Sequence, residues 1–275
     1  MTLLRPWALA ALLAAALALA GTAQAAQVGT GTPGSCTSAA VVSAVARGGV
    51  VTFDCGPAPV TIRMRQTAKV RNTSPSVVLD GGGKVTLSGG GARRILYQNT
   101  CDRAQVWTTD HCDNQATPRL TVRNITLAGG NSTGQTVDGG GGGAIFVRGG
   151  RLTIIDSRFT GNRCDRTGPD LGGAAVRALS QSRNLPVRVI RSVFTGGRCS
   201  NGAALSSIGV SWVILNSLMT DNTAIGSGAN ARRRRVANGT SLIPDTLDFP
   251  ASPAARTPSW RGPDTDGRPG GRRSR

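Results

Sequence analysis

The chain has 275 residues, 38 of them glycine, and an apolar fraction of 39%. This apolar content excludes disorder along the whole chain. The charges are uneven, because 30 Arg, 2 Lys, 14 Asp and no Glu give a formal net charge of +18. Since exposed helices favour Glu and Lys, the composition argues against a helical bundle.

The first 25 residues have the pattern of a secretory signal peptide. Arg5 supplies a positive charge, residues 8–20 are an uncharged Ala/Leu run, and Ala23-Gln24-Ala25 has the small-x-small form of a cleavage site. The run is shorter than the roughly 20 residues that span a bilayer. We therefore expect a secreted mature protein without a transmembrane segment. A buried helix is the alternative interpretation.

A repeated pattern occupies residues 120–222. The glycine-rich openings GGAIF, GGAAV and NGAAL begin at Gly142, Gly172 and Asn201. Alternating apolar stretches follow these openings, namely LTIIDSRF (152–159), VRVIRSVF (187–194) and WVILNSLM (212–219). An earlier stretch of the same kind, LTVRNITL (120–127), has no such opening before it. Apolar residues two apart predict strands with one buried face. Because no helical period fills the gaps, we expect parallel strands stacked about 4.8 Å apart, as in a parallel β-helix.

These GGAI…NSxF…N repeats resemble the right-handed β-helix repeats of the pectin-lyase-like superfamily, especially those of the polymorphic outer membrane protein type. The resemblance covers roughly residues 120–222 and implies an all-β, right-handed parallel β-helix, which we expect to extend over residues 26–230. The Asn expected before Ser is present at Asn124 and Asn216, whereas Asp156 and Arg191 occupy the equivalent positions in the other repeats. We predict that Asp156 and Arg191 pair across neighbouring coils. The serines that follow should form a hydroxyl column: Ser157, Ser192 and Ser217.

The N-terminal part is interpreted as the start of the same solenoid. Residues 35–48 predict a short amphipathic helix, ended by glycine, that caps the open end of the coils. Alternating segments follow at 50–53, 60–64, 77–79 and 85–87.

All six cysteines lie in the predicted mature part, and an even number favours three disulfides in an oxidising compartment. Zinc is disfavoured, because there is no Cys-x-x-Cys and only one histidine. Cys164 and Cys199 each lie eight residues after equivalent repeat positions. One coil step suits the roughly 4.4–6.8 Å between the Cα atoms of a disulfide, so we predict that they pair. The other expected pairs are Cys36 with Cys55, between cap and first strand, and Cys101 with Cys112, which closes a tight loop.

The Cys101–Cys112 loop contains the candidate catalytic and metal residues. Residues 106–111, VWTTDH, resemble the VWxDH motif of pectate lyases with one extra residue, which makes Asp110 and His111 candidate catalytic groups. Asp102, Asp110 and Asp113 are candidate calcium ligands if the protein is a lyase, although calcium takes six to eight oxygens. A coincidental, solvent-exposed loop is the alternative interpretation. We expect no other cofactor.

Residues 231–275 depart from the repeat, with 10 Arg, 4 Asp and 6 of the 14 Pro. Three interpretations stay open: a basic tail for an acidic polymer, a disordered end, or a frameshifted segment that leaves a truncated, non-functional product. A search for GGA repeats in the other reading frames of the gene would test the last of these.

Most of the net charge, +11, lies on residues 26–230 and favours acidic partners such as uronic-acid polysaccharide, cell-envelope polymers or anionic lipid headgroups. A solvated arginine-rich surface that reflects codon bias is the alternative interpretation. Scarce aromatic residues and only two lysines argue against nucleic acid. We therefore expect a secreted, non-catalytic surface protein, adhesion-like or glycan-binding. The alternative is a lyase or glycoside hydrolase that acts on acidic polysaccharide. The ligand and the oligomeric state do not follow from the sequence.

Overall fold

A computed structural model describes residues 25–106, 110–135, 140–168 and 171–225. The basic tail and nearly all of the predicted signal peptide lie outside this part of the chain. Among the described residues, no helix has the length and apolar character needed to cross a membrane.

The described part is mostly β-structure with one α-helix, α1 (Ser38–Arg47). The strands in chain order are β1 (Ala26–Val28), β2 (Gly49–Phe53), β3 (Val60–Arg63), β4 (Ala68–Lys69), β5 (Ser76–Ser88), β6 (Leu96–Asn99), β7 (Arg119–Ala128), β8 (Ile145–Arg148), β9 (Arg151–Ile155), β10 (Arg158–Thr160), β11 (Val176–Leu179), β12 (Val187–Ile190), β13 (Val193–Thr195), β14 (Arg198–Cys199), β15 (Leu205–Ile208), β16 (Trp212–Leu215), β17 (Leu218–Thr220) and β18 (Thr223–Ala224). Short 3₁₀ helices cover Pro33–Ser35, Arg103–Gln105, Cys112–Asn114 and Ser182–Asn184.

Every strand pairing within the described residues is parallel. In this part of the chain an 11-stranded sheet, here called the long sheet, contains β5, β7 and the strands of the alternating stretches. A five-stranded sheet has the order β15-β11-β8-β6-β4, and β14 pairs with β18. The chain is therefore all-β in character with long parallel sheets.

The apolar columns predicted from the repeats are present in the long sheet. Phe159 pairs in register with Leu127 on one side and with Phe194 on the other, and Phe194 pairs with Met219. The rings of Phe159 and Phe194 stack with centroids 4.6 Å apart. Both side chains are buried in the main apolar core, which contains residues of the long and the five-stranded sheets.

Each of the last three alternating stretches, predicted as one segment, is divided into two strands. The residues at the division have positive φ, namely 48° at Asp156, 45° at Arg191 and 49° at Asn216. This left-handed conformation turns the chain, and Asn and Asp adopt it more readily than most residues. The expected segments at 77–79 and 85–87, in contrast, belong to one strand, β5, with a register shift between them.

The predicted polar contacts at this turn are confirmed. Arg191 Nε and Nη2 donate to the two carboxylate oxygens of Asp156, both at 2.7 Å. The backbone N–H of Ser157 donates to Ser192 Oγ at 3.2 Å, and that of Ser192 donates to Ser217 Oγ at 3.1 Å. The polar positions of successive repeats therefore contact one another as the apolar positions do.

Helix α1 lies where the cap was expected. The Thr37 side chain accepts a hydrogen bond from Ala40 N at 3.2 Å, which satisfies a free donor of the first turn. The helix ends at Arg47 and is followed by Gly48, whose φ of 81° suits glycine. Val41, Ala44 and Val45 are buried against the core.

All six cysteines are paired, and the pairs are those predicted. Cys164 and Cys199 have Cα atoms 4.7 Å apart on neighbouring repeats. Four of the cysteines are buried, whereas Cys101 and Cys112 are half-buried. The Cys101–Cys112 disulfide is therefore the most accessible of the three.

Candidate ligand-binding cleft

The five-stranded sheet carries a second layer of side chains on the side that faces away from the core. Leu96 and Ile145 belong to the core, and the next residues, Tyr97 and Phe146, point to the opposite side because side chains alternate along a strand. Tyr97 and Phe146 are paired in register, and their rings stack with centroids 5.5 Å apart. Both are buried, so the outer side of this sheet is covered.

Arg94 lies against these two rings. Its guanidinium carbon is 5.0 Å from the Phe146 ring centroid and 5.7 Å from that of Tyr97, within the range of cation–π attraction. Nε donates to Gly142 O at 3.0 Å and Nη2 to Gly141 O at 2.7 Å. The residue is only 4% exposed, and its guanidinium is therefore held in one orientation.

Burial lowers the pKa of Arg94 to about 10, partly offset by Tyr97 and Asp165. This pKa still leaves the guanidinium charged at neutral pH. Glycine is required at position 141, because its φ is 85° and a Cβ atom there would overlap the carbonyl oxygen of Gly172. The backbone around Arg94 is thus shaped to accept its two hydrogen bonds.

Arg94 and Tyr97 line a cleft of about 430 Å³. Three further cations line it, Lys69, Arg103 and Arg148, with Asp102 as the one lining carboxylate among the described residues. Lys69 Nζ is 5.5 Å from the Tyr97 ring centroid. Asp113 pairs with Arg148, but Lys69, Arg94 and Arg103 still outnumber the lining carboxylate, so the cleft is suited to an anion.

The Tyr97 hydroxyl connects the sheet to the loop that follows β6. It donates to Asp102 Oδ2 at 3.1 Å and accepts from Asn99 Nδ2 at 3.0 Å. The other Asp102 oxygen, Oδ1, accepts from Ala104 N at 2.9 Å and begins the 3₁₀ helix there. Asp102 therefore has a structural partner for each of its oxygens.

The Cys101–Cys112 loop forms one wall of the cleft. Cys101 lines the cleft, and its disulfide partner is followed by Asp113, which accepts from Arg148 Nε at 2.7 Å. Thr100 Oγ1 also donates to Arg148 O at 3.1 Å. The loop is thus tied to β8 by an ion pair and by a hydrogen bond.

Asp110 and His111, the candidate catalytic residues, are exposed in the turn before the 3₁₀ helix Cys112–Asn114, and neither lines the cleft. Residues 107–109 of the VWTTDH segment lie outside the described part. The structure brings neither residue to the cleft, and no observation tests a catalytic role for them.

The three candidate calcium ligands do not form one cluster in the described residues. Asp102 contacts Tyr97, Asp113 contacts Arg148, and Asp110 is exposed. Within the described residues, the side chains close enough together to hold a metal ion are Cys101, Cys112 and Asp113. The two cysteines form a disulfide with each other, so they offer no thiolate to a metal ion. Calcium binding stays a prediction.

The cleft residues Lys69, Arg94, Tyr97 and Arg148 were not predicted from sequence. A signal was present: Ile95-Leu96-Tyr97 follows a glycine-rich segment, as the later openings are followed by apolar residues. This similarity would have predicted that Tyr97 and Phe146 are neighbours on adjacent strands, and the two residues do pair in register.

No family model matches the chain, and no significant match was found among curated proteins or among solved structures.

Proposed function

We propose that this chain is a secreted right-handed parallel β-helix protein, related to the pectin-lyase-like superfamily, that binds an acidic oligosaccharide in the cleft without cleaving it. The β-helix is supported by all-parallel pairing in which successive repeats meet in register. Secretion is supported by the signal-peptide pattern and by three disulfides, which form in oxidising compartments.

The main support for an acidic ligand is the guanidinium of Arg94, which is buried and held in one orientation in a cleft with more cations than carboxylates. A planar guanidinium binds a carboxylate through two parallel hydrogen bonds. The volume of the cleft, about 430 Å³, lies in the range of small-ligand sites. A short uronate oligosaccharide offers carboxylates for these cations and hydroxyls for Asn99 and Tyr97.

Binding without cleavage is favoured because Asp110 and His111 do not line the cleft. The second candidate is a lyase, and the observation that favours it is the Tyr97 hydroxyl among cations. In such a reaction the tyrosinate would take the proton beside the uronate carboxyl, and the C4–O4 bond would break as C4=C5 forms. Water would protonate the leaving oxygen, and the resulting hydroxide would take the proton from Tyr97 and restore the tyrosinate. Ultraviolet absorbance of the unsaturated product, on polygalacturonate with and without calcium, separates the two candidates.

Calorimetric titration of the secreted protein with trigalacturonate tests the proposal. We expect binding that weakens with added salt and no binding of a neutral trisaccharide. The variant Lys69→Gln/Arg103→Gln should bind about tenfold more weakly, because the ligand loses contacts with two exposed cations of the cleft.

The matched control for charge is Arg47→Gln/Arg63→Gln, which removes two exposed cations outside the cleft and should bind like the parent. Equal binding of the neutral trisaccharide, or equal losses in both variants, would contradict the proposal.

A further inference from the structure

The last described repeat, residues 200–225, exposes apolar side chains to solvent, and we call it the last repeat. Four large apolar side chains of the described residues are exposed, and three of them lie here: Ile208 (51% exposed), Leu215 (38%) and Leu218 (50%). Met219 is half-buried, whereas Phe194, its register partner in the preceding repeat, is fully buried. The apolar side chains of the last repeat are thus less covered than those before it.

The strands of the last repeat form open sheet edges. Within the described part of the chain, β15, β16, β17 and β18 each pair only with a strand of the preceding repeat. The backbone N–H and C=O groups on their other side are therefore available to a further strand. Proteins commonly protect such an edge with charged side chains or proline. Residues 200–225 contain no proline and one charged residue, Asp221.

The last repeat also lacks the arginines of the preceding one. Residues 174–199 contain five arginines, whereas residues 200–225, a segment of equal length, contain no Arg or Lys. Three of those arginines pair in register with uncharged residues of the last repeat: Arg177 with Ser206, Arg188 with Val213, and Arg198 with Thr223. Ile208 and Leu218 continue columns that contain Arg148 and Arg158 two repeats earlier. Cations are thus replaced by uncharged side chains at equivalent positions.

This replacement restricts the kind of partner that fits the edge. A surface without cations attracts no acidic polymer, and its apolar side chains favour a partner surface that is itself uncharged and apolar. Two copies of this basic protein repel each other through their arginine-bearing surfaces, since residues 26–230 carry +11. At the last repeat two copies can meet without that repulsion, because each presents the same apolar side chains and open strand edges to the other.

The opposite end of the sheets restricts how two copies can meet. Helix α1 packs there on β1, β2 and β4, so a head-to-tail stack would find that end covered. A two-fold arrangement needs only the last repeat of each copy, and it closes with two copies. Residues 200–225 also suit the size of such a contact, since a standard interface involves about 20–30 residues from each partner.

We propose that the last repeat is a homodimer interface, at which two copies of this chain join edge to edge about a two-fold axis. Antiparallel pairing between the open edges of the two copies joins their sheets across the interface. Ile208, Leu215 and Leu218 become buried in the contact. This interface does not depend on the function proposed for the cleft.

Sedimentation velocity of the full chain over a range of concentrations tests the proposal, and we expect a monomer–dimer equilibrium. Ile208→Arg/Leu218→Arg adds cations at two exposed positions of the edge and should weaken dimerisation at least about tenfold. The control Thr52→Arg/Thr61→Arg adds the same charge at exposed positions of β2 and β3 and should dimerise like the parent. A monomer at every concentration, a dimer that the first variant does not weaken, or equal weakening of both variants would overturn the proposal.

Amide hydrogen exchange of the unaltered chain locates the contact without the need for a variant. The edge-facing amides of β15, β16 and β17 should exchange more slowly at a concentration where the dimer dominates than at one where the monomer dominates, with β1, β2 and β3 unchanged. Slow exchange of these amides already in the monomer would show that another part of the same chain, such as residues 226–275, covers the edge. Slower exchange only elsewhere would place the contact on a different surface. Either result overturns the proposal.

Discussion

Arg94 Nη2 donates to the carbonyl oxygen of Gly141 at 2.7 Å, and this bond fixes a buried cation in the cleft. The neighbouring Gly142 carbonyl accepts from Nε, so the guanidinium uses one edge for the backbone. A side chain that is held before the ligand arrives loses little further entropy on binding. For the proposed ligand, the fixed orientation of Arg94 should therefore add to the affinity that its charge supplies.

Replacement of Arg94 by Leu should destabilise the fold by about 1–3 kcal/mol, because two buried carbonyls lose their donors. Urea unfolding followed by circular dichroism measures the change. Lys69→Gln, which removes an exposed cation of the same cleft, serves as the control and should unfold like the parent. An unfolding curve for Arg94→Leu that superimposes on the parent curve would show that the two hydrogen bonds do not stabilise the fold.

Removal of the Cys101–Cys112 disulfide should affect the cleft more than the rest of the fold. In Cys101→Ser/Cys112→Ser the loop wall is no longer closed, so we expect trigalacturonate affinity to fall at least about tenfold, while stability falls by about 2–3 kcal/mol. Calorimetry measures both quantities.

The matched comparison is Cys36→Ala/Cys55→Ala, whose disulfide joins the region of α1 to β2 and does not line the cleft. It should lower the melting temperature and keep trigalacturonate affinity once folded. The reverse result, with affinity lost only in this second variant, would mean that the Cys101 loop does not shape the site.

The stacked pair Phe159 and Phe194 should dominate the stability of the later repeats. Phe194→Ala removes a fully buried ring from between Phe159 and Met219, at an expected cost of about 3–5 kcal/mol. Phe194→Leu should cost less, since it leaves a smaller cavity. Equal unfolding free energies for the two variants would contradict the importance of this column.

Acid should weaken the fold partly through Asp80. Burial raises the pKa of its carboxyl, but hydrogen bonds from Gly82 and Asn124 and the charge of Arg123 outweigh burial, so the pKa lies below its ordinary value. A lowered carboxyl pKa gives stability that is present above the unfolded pKa, about 4, and is lost as the pH falls through the folded pKa.

Asp80→Asn should therefore lose about 1 kcal/mol at neutral pH and show a shallower loss of stability between about pH 5 and pH 2. Urea midpoints at several pH values measure this slope. If the variant and the parent lost stability in parallel over that range, the ion pair with Arg123 would have no part in the acid sensitivity.

Sequence predicted the contacts that depend on equal positions in successive repeats. Asp156 and Arg191 occupy the same repeat position, as do Cys164 and Cys199, and parallel pairing in register brings each pair together. The division of the last three stretches at positive φ was not predicted, because each was interpreted as one alternating segment although the apolar positions change parity at the turn, as from Ile154 to Phe159.

The cleft could not be predicted in the same way, because it combines segments without a shared repeat. Strand β4 has two residues, too short to show alternation, yet it supplies Lys69. Arg94 precedes β6 and depends on the backbone of residues 141 and 142, which are far away in sequence. Pattern alone gave no reason to place these charges around Tyr97.

A crystal structure of the protein with trigalacturonate tests directly whether the cleft binds an acidic oligosaccharide. We expect the ligand in the cleft, with a uronate carboxylate in contact with the guanidinium of Arg94 or the ammonium of Lys69. A ligand bound elsewhere on the protein, or an empty cleft at saturating ligand, would contradict it.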